Sequence, residues 1–173
     1  MGSSGLDEPV IIVPYDAAWP RQFEVERAVL ELALAPWLVD GSIVHIGSTA
    51  VPGLAAKPVI DIMAGVRSLA ESRACIEVLA PLGYCYAPYA ADVEHWFCKP
   101  SPSRRTHHLH LIERGHPEFA RRLAFRDHLR THPDAAAEYA ALKRRLAVAF
   151  RTDRDAYTEA KADFVRAVLA RSP

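Results

Sequence analysis

His45-Ile46-Gly47-Ser48-Thr49-Ala50-Val51-Pro52-Gly53-Leu54-Ala55-Ala56-Lys57-Pro58-Val59-Ile60-Asp61-Ile62 is the stretch that decides how this chain is read. It joins two β-branched apolar runs, Ile43 to Ile46 and Val59 to Val66, which read as neighbouring strands. Gly47 and Ser48 fall where the first run ends. A glycine there lets a ligand approach the backbone, while the serine hydroxyl and the exposed amides of Ser48 and Thr49 can donate to phosphate oxygens. Pro52-Gly53 and Lys57-Pro58 restrict the loop, and Lys57 supplies a cation where an anion would sit. The plainer alternative is a structural turn with a solvated lysine. Asp61 stands inside the second apolar run, and a carboxylate buried there must take up a proton or find a metal, a cation or a hydrogen-bond donor. Its plainer alternatives are a wet strand rim, or neutralisation by Lys57 or an arginine.

Working outward, Trp19-Pro20 suits a helix start because proline at the first helical position gives up no needed hydrogen bond. Trp19, Phe23, Leu30 and Leu34 then share one face at helical spacing. Ser68 followed by Glu71 is a capping box, and Leu69, Ile76 and Leu79 form the stripe of a single helix ending near Gly83. Tyr84 to Tyr86 begins a third strand. His95 to Cys98 and Thr106 to Ile112 make a hairpin around Pro100-Ser101-Pro102-Ser103-Arg104-Arg105. From Pro117 the pattern is helical, with Pro133 as a break. Strands grouped in the middle and helices at both ends predict an α+β fold around a mixed or antiparallel sheet, with a C-terminal helical segment.

The 173 residues, 50% of them hydrophobic, suffice for one domain over 10–171, with 1–9 as a flexible leader. Lys+Arg and Asp+Glu both number 21, which argues against a nucleic-acid surface or an anionic membrane, so any anion site is local. Cys75, Cys85 and Cys98 form no Cys-x-x-Cys pair and fit a reducing compartment. Val10 to Val13 is far shorter than a membrane span of about 20 residues. The expected location is the cytoplasm.

Thr106-His107-His108-Leu109-His110-Leu111 is the second candidate cluster. Strand periodicity puts His108 and His110 on one face and His107 on the other. Two imidazoles on one face form half of a metal site suited to zinc, manganese or iron, and Asp61 would complete a set of two histidines and one carboxylate if the strands are neighbours. A packing or surface pair is the plainer alternative. Lys99, Arg104 and Arg105 would give that strand a positive rim, against ordinary solvated charges. Arg126, Lys143 and Lys161 on the later helices are further anion contacts or ordinary polar-face residues.

These residues together resemble the GrpB-like family, related to the nucleotidyltransferase fold. The resemblance rests on Val13-Pro14-Tyr15-Asp16 with Trp19-Pro20, on the His45 to Ile62 block, on Thr106 to Leu111 and on Phe125-Arg126-Asp127-His128-Leu129-Arg130, and spans nearly the whole chain. In the wider superfamily a Gly-Ser pair holds triphosphate, and an Asp-x-Asp pair on the next strand binds divalent metal with a later third carboxylate. Carried over, Gly47, Ser48 and Asp61 match, but Met63 stands where the second carboxylate would be. His108 and His110 stand where the later carboxylate would come, and imidazole favours transition metals over magnesium.

Three readings follow. One is a metal-dependent nucleotidyl or phosphoryl transferase, in which Gly47, Ser48 and Thr49 cradle phosphates, Lys57 with Lys99, Arg104 or Arg105 neutralises charge, and Asp61, His108 and His110 hold Mg, Mn, Zn or Fe. Another is a non-catalytic module binding a nucleotide or phosphorylated metabolite; the resemblance implies a link to coenzyme A biosynthesis through fusion with dephospho-coenzyme A kinase. The third is a metalloenzyme acting on a small organic substrate.

Overall fold

The computed structural model describes residues 8–171. The leader expected over 1–9 lies outside the described residues as far as position 7; at Glu8 the backbone amide donates to the Ser103 carbonyl at 3.2 Å.

Helix α1 (Trp19–Leu34) buries Trp19, Phe23, Glu26, Leu30 and Leu34, the expected stripe with one acid in it. Strand β1 (Leu38–Ile46) pairs antiparallel with β2 (Ile60–Val66). The single helix expected from Ser68 to Gly83 is instead two short pieces, α2 (Leu69–Ser72) and α3 (Cys75–Leu79), followed by a 3-10 turn over Ala80–Leu82. The Ser68 hydroxyl caps it as anticipated, accepting from the Glu71 amide at 3.3 Å. Ser72 then turns its own hydroxyl back onto the Leu69 carbonyl at 2.9 Å, competing with the helical ladder, and Pro81 withholds a donor from the final turn.

Strand β3 (Cys85–Tyr86) edges the sheet, and β4 (Glu94–Pro100) and β5 (Arg105–Glu113) form the hairpin. The spatial order is β1-β2-β5-β4-β3, antiparallel except where β2 and β5 run parallel. Four helices complete the chain: α4 (Pro117–Thr131), α5 (Pro133–Ala149), α6 (Arg154–Glu159) and α7 (Ala162–Arg171). This is the expected α+β, nucleotidyltransferase-like arrangement of a mixed sheet with flanking helices. None of the described helices is long and apolar enough to cross a membrane.

The sheet's two faces have different fates because β2 alternates. Ile60, Ile62, Ala64 and Val66 point to the face covered by α1 and α3, packing on Leu30, Leu34 and Leu79. Asp61 and Met63 point the other way, where Met63 packs with Ile46, Ile112 and Phe119 of α4. Tyr139 of α5 packs with Val51, Leu54 and Leu129, holding the loop after β1 against the C-terminal helices. Asp61 is thus left near the start of β2, between that loop and the helical segment.

Candidate functional site

The parallel register of β2 and β5 places Asp61 beside His108 and Met63 beside His110. The Asp61 carboxylate accepts from His108 Nδ1 at 2.9 Å, and His110 Nε2 lies 4.0 Å from the same oxygen. One ligand atom from each of Asp61, His108 and His110 falls within 4.8 Å of the others. Because a carboxylate can only accept, His108 Nδ1 carries the proton, and its Nε2 is a buried lone pair with no partner among the described residues. An ion held between these three groups would take the place of the proton between His108 Nδ1 and Asp61, and a donor set of two imidazoles and one carboxylate fits a divalent transition metal better than magnesium, which prefers oxygen. Burial pushes the Asp61 carboxyl up, but the His108 hydrogen bond and the charges of His108, His110 and Lys57 outweigh it and hold it well below the usual carboxylate range. Burial likewise lowers the His108 pKa against the pull of Asp61.

His110 is oriented by residues that sequence reading passed over. Its Nδ1 donates to Glu94 Oε2 at 2.7 Å, and Arg122 of α4 grips both Glu94 oxygens at 3.0 Å. Arg122 Nη1 also comes within 2.8 Å of His110 Nδ1, but two donors cannot bond, so Glu94 receives both protons. Arg122 is fixed in turn by Glu118 at 2.9 Å. Glu94 is 1% exposed, and its pKa falls to about 2 because hydrogen bonds and charge from His110 and Arg122 overcome its burial. His110 Nε2 therefore keeps its lone pair on the Asp61 side, as in carboxylate–histidine–metal arrangements. Glu94 shares the face of Trp96 and Cys98 by strand alternation, but nothing local in the sequence ties it to His110.

The Gly47 backbone lies against this group. Its φ is +71°, and a Cβ there would stand 2.5 Å from Asp61 Oδ2. Only glycine lets the loop lie against the carboxylate.

A protein-family model described as GrpB protein matches residues 9–171. The chain belongs to the GrpB family. A UPF0157 protein of Pseudomonas aeruginosa is 38% identical, the match covering 98% of this chain and 70% of that relative. A protein of Mycolicibacterium paratuberculosis named dephospho-CoA kinase is 32% identical over 95% of this chain, which spans 46% of that relative's length. The crystal structure of a GrpB protein from Enterococcus faecalis superimposes with a TM-score of 0.83 at 34% identity, covering 92% of this chain and 95% of that one.

Within this GrpB fold, the expected site residues separate. Ser48 lies near the Tyr139 hydroxyl, whereas Thr49 is buried and serves the loop itself, donating to the Val59 carbonyl at 3.2 Å and meeting His45 Nε2 at 2.9 Å. Lys57 borders a cleft of about 230 Å³ together with Arg105, His108 and Arg154. Arg105 also stacks over Trp96 at 5.2 Å. Lys99 is not there: strand alternation sends it to the opposite face of the sheet, where its Nζ binds Glu26 at 2.6 Å. Arg104 is exposed, 3.8 Å from Glu8. Arg126 donates to the His45 carbonyl at 3.0 Å. Lys143 donates instead to the Ala55 carbonyl, and Lys161 shares the Tyr157 ring with Lys57; burial is the first cause of the lowered pKa values of Lys143 and Lys161, about 7 and about 8. Tyr139 and Tyr157 stand beside them, with Lys143 Nζ 4.8 Å from the first ring and Lys161 Nζ 4.4 Å from the second. Met63, at the position of the missing carboxylate, is fully buried in apolar surroundings, so no second acidic ligand could stand there without disturbing the packing.

Proposed function

We propose that this GrpB-family chain binds a phosphorylated small molecule or nucleotide between the Gly47-Ser48 loop and β5, beside one divalent metal held by Asp61, His108 and His110. The observation that carries the reading is the convergence of one ligand atom each from Asp61, His108 and His110 to within 4.8 Å, with the Gly47 backbone against the carboxylate. Lys57, at the mouth of the adjoining cleft, would neutralise the ligand's charge. The relative named dephospho-CoA kinase supports a phosphate-bearing ligand. A bound metal would supply Lewis-acid polarisation of a phosphoryl oxygen. The chain's own groups do the rest: Glu94 orients His110, the facing pair of Asp61 and His108 Nδ1 would hold the ion between them, and Ser48 with Lys57 grips the anion. With Met63 in place of an acid, two-metal magnesium chemistry has no support, and transfer would rest on positioning and electrostatic stabilisation by one ion.

Elemental mass spectrometry of protein purified without chelator tests this directly. Near-stoichiometric zinc, manganese or iron that disappears in Asp61→Asn and His108→Ala is the expected result. Absence of metal from the wild-type chain, even after incubation with each ion, would remove the metal from the reading.

A further inference from the structure

A cleft of about 230 Å³ lies where three segments meet: the chain before α1, the loop entering β2, and the start of β5. Its walls are pinned in place. The Val10 amide donates to the Arg151 carbonyl at 2.7 Å and the Val13 amide to the Ala56 carbonyl at 2.9 Å, while the Val10 side chain packs with Tyr157 and Ala147. Arg154 donates to the Glu8 carbonyl at 3.2 Å and to the carbonyls of Pro102 and Ser103, tying the first segment to the β4–β5 turn. A space held open by the fold in this way is the usual form of a small-molecule site.

Its lining is of two kinds. Pro9, Val10, Ile11, Pro58 and Val59 are apolar, and Ile11 is left 53% exposed. Lys57 and Arg105 bring charge, and their donors are unused. Among the described residues Lys57 Nζ bonds no oxygen, and Arg105 bonds only through Nε, to the Pro102 carbonyl at 2.7 Å, so both terminal guanidinium nitrogens stay open. The rings they rest on, Tyr157 at 5.1 Å and Trp96 at 5.2 Å, carry no countercharge. Glu8, the one carboxylate lining the cleft among the described residues, lies 3.8 Å from Arg104.

These features select an occupant. The open end of a guanidinium matches the two oxygens of a carboxylate, and an ammonium beside it adds a further donor. The apolar walls are covered only by a hydrocarbon body, which inorganic phosphate lacks. At about 230 Å³ the space is smaller than the roughly 300–1,000 Å³ of sites that take a whole drug-sized ligand, so the body is small.

We infer that this cleft binds a small organic acid, its carboxylate on Lys57 and Arg105 and its branched or cyclic body against Val10, Ile11, Pro58 and Val59. His108 forms the wall that the cleft shares with the group of Asp61, His108 and His110, so the acid stands beside that group. The inference rests on the proposed function only for the metal next to it. It adds to the phosphorylated ligand a second substrate of different chemistry, with Lys57 between the two.

The test is an NMR titration of the whole isotope-labelled chain, passed over chelating resin, that follows the backbone amides of Ile11 and Val59. The probe is 3-methylbutanoate. Acetate supplies the charge without the body, 3-methylbutanamide the body without the charge, and inorganic phosphate a different anion. At those amides 3-methylbutanoate is expected to bind at least tenfold tighter than each of the other three. Lys57→Met and Arg105→Met should each weaken it fivefold or more, and Arg105→Lys, which keeps the charge but loses the fork, should fall between Arg105→Met and wild type. Ile11→Ser, at a half-exposed position, should weaken it at least threefold and leave acetate unchanged. Equal affinities for acetate and 3-methylbutanoate, no shift at Ile11 or Val59, or unaltered affinity in both methionine variants would overturn the inference. So would phosphate binding tighter than 3-methylbutanoate at these amides, which would give the cleft to the phosphorylated ligand. Because the titration is run without metal, its failure leaves the metal analysis intact, and a protein that takes up no metal leaves this titration in place.

Discussion

Consecutive histidines, His107 and His108, face opposite sides of β5, and the carboxylates they meet are held in opposite ways. On the α1 face, Glu26 accepts from Lys99 at 2.6 Å and from Tyr84 at 2.8 Å, with His107 at 4.0 Å. Burial pushes the Glu26 carboxyl up, and these donors more than offset it. One acid meets one amine, with a hydroxyl to fill a remaining lone pair. On the other face, Asp61 meets His108 at 2.9 Å and His110 at 4.0 Å, with no hydroxyl or amine bonded to it among the described residues. The first cluster is complete as it stands and explains itself as structure. The second gathers a carboxylate and two imidazoles within 4.8 Å and leaves His108 Nε2 without a partner among the described residues.

That contrast can be broken experimentally. The largest effect is expected at Asp61: Asp61→Asn should weaken zinc or manganese binding about 100-fold or more, close to 3 kcal/mol, measured by competition with a chromogenic chelator. Glu26→Gln should leave that affinity unchanged and cost about 2 kcal/mol of folding stability in urea titration, because it strips the countercharge from Lys99. If Glu26→Gln impaired metal binding as strongly as Asp61→Asn, the division of labour between the faces would be wrong.

Glu94→Gln sharpens the comparison. It keeps the side chain's shape but releases the His110 tautomer, so metal affinity should fall by roughly 10- to 100-fold, less than at Asp61.

A smaller effect concerns pH. Burial holds the His45 pKa at about 4, well below its ordinary 6.5, with the ring stacked on Phe23 at 4.8 Å. A histidine that resists protonation in the folded state contributes stability that is fully present above pH 6.5 and is lost as the pH falls towards 4. In His45→Gln the slope of unfolding free energy between pH 6.5 and 4 should therefore flatten relative to wild type. An unchanged slope would place the titrating group elsewhere. The smallest effect is at Arg104, exposed and only loosely near Glu8: Arg104→Ala should change stability by less than about 0.5 kcal/mol in urea titration.

Much of the fold was legible because it is written in local periodicity. The stripe from Trp19 to Leu34, the break at Pro133 and the two strands flanking the Gly-Ser loop all follow from spacing of 3.6 or 2 and from turn residues. The helix after Ser68 was misread because its cap and apolar stripe were local signals too, and a competing hydroxyl at Ser72 with Pro81 interrupted them. Within the site, the shared face of His108 and His110 was likewise a matter of alternation. Lys99 was placed with them because it is close in sequence, although its odd position relative to His108's partner Cys98 sends it through the sheet.

By itself, then, the sequence determined the family, the α+β layout, and the candidacy of Gly47, Asp61, His108 and His110, since each depends on residue type and on neighbours a few positions away. Only the tertiary structure decided that β2 and β5 run parallel in the register that sets Asp61 beside His108. It also decided that Glu94 and Arg122 orient His110, and that Lys57 and Lys161 meet over one aromatic ring. Those are relations between residues as far as 100 positions apart, such as Lys57 and Lys161 on one tyrosine ring. Charge balance is a property of a volume in space, and a volume has no local signature along the chain.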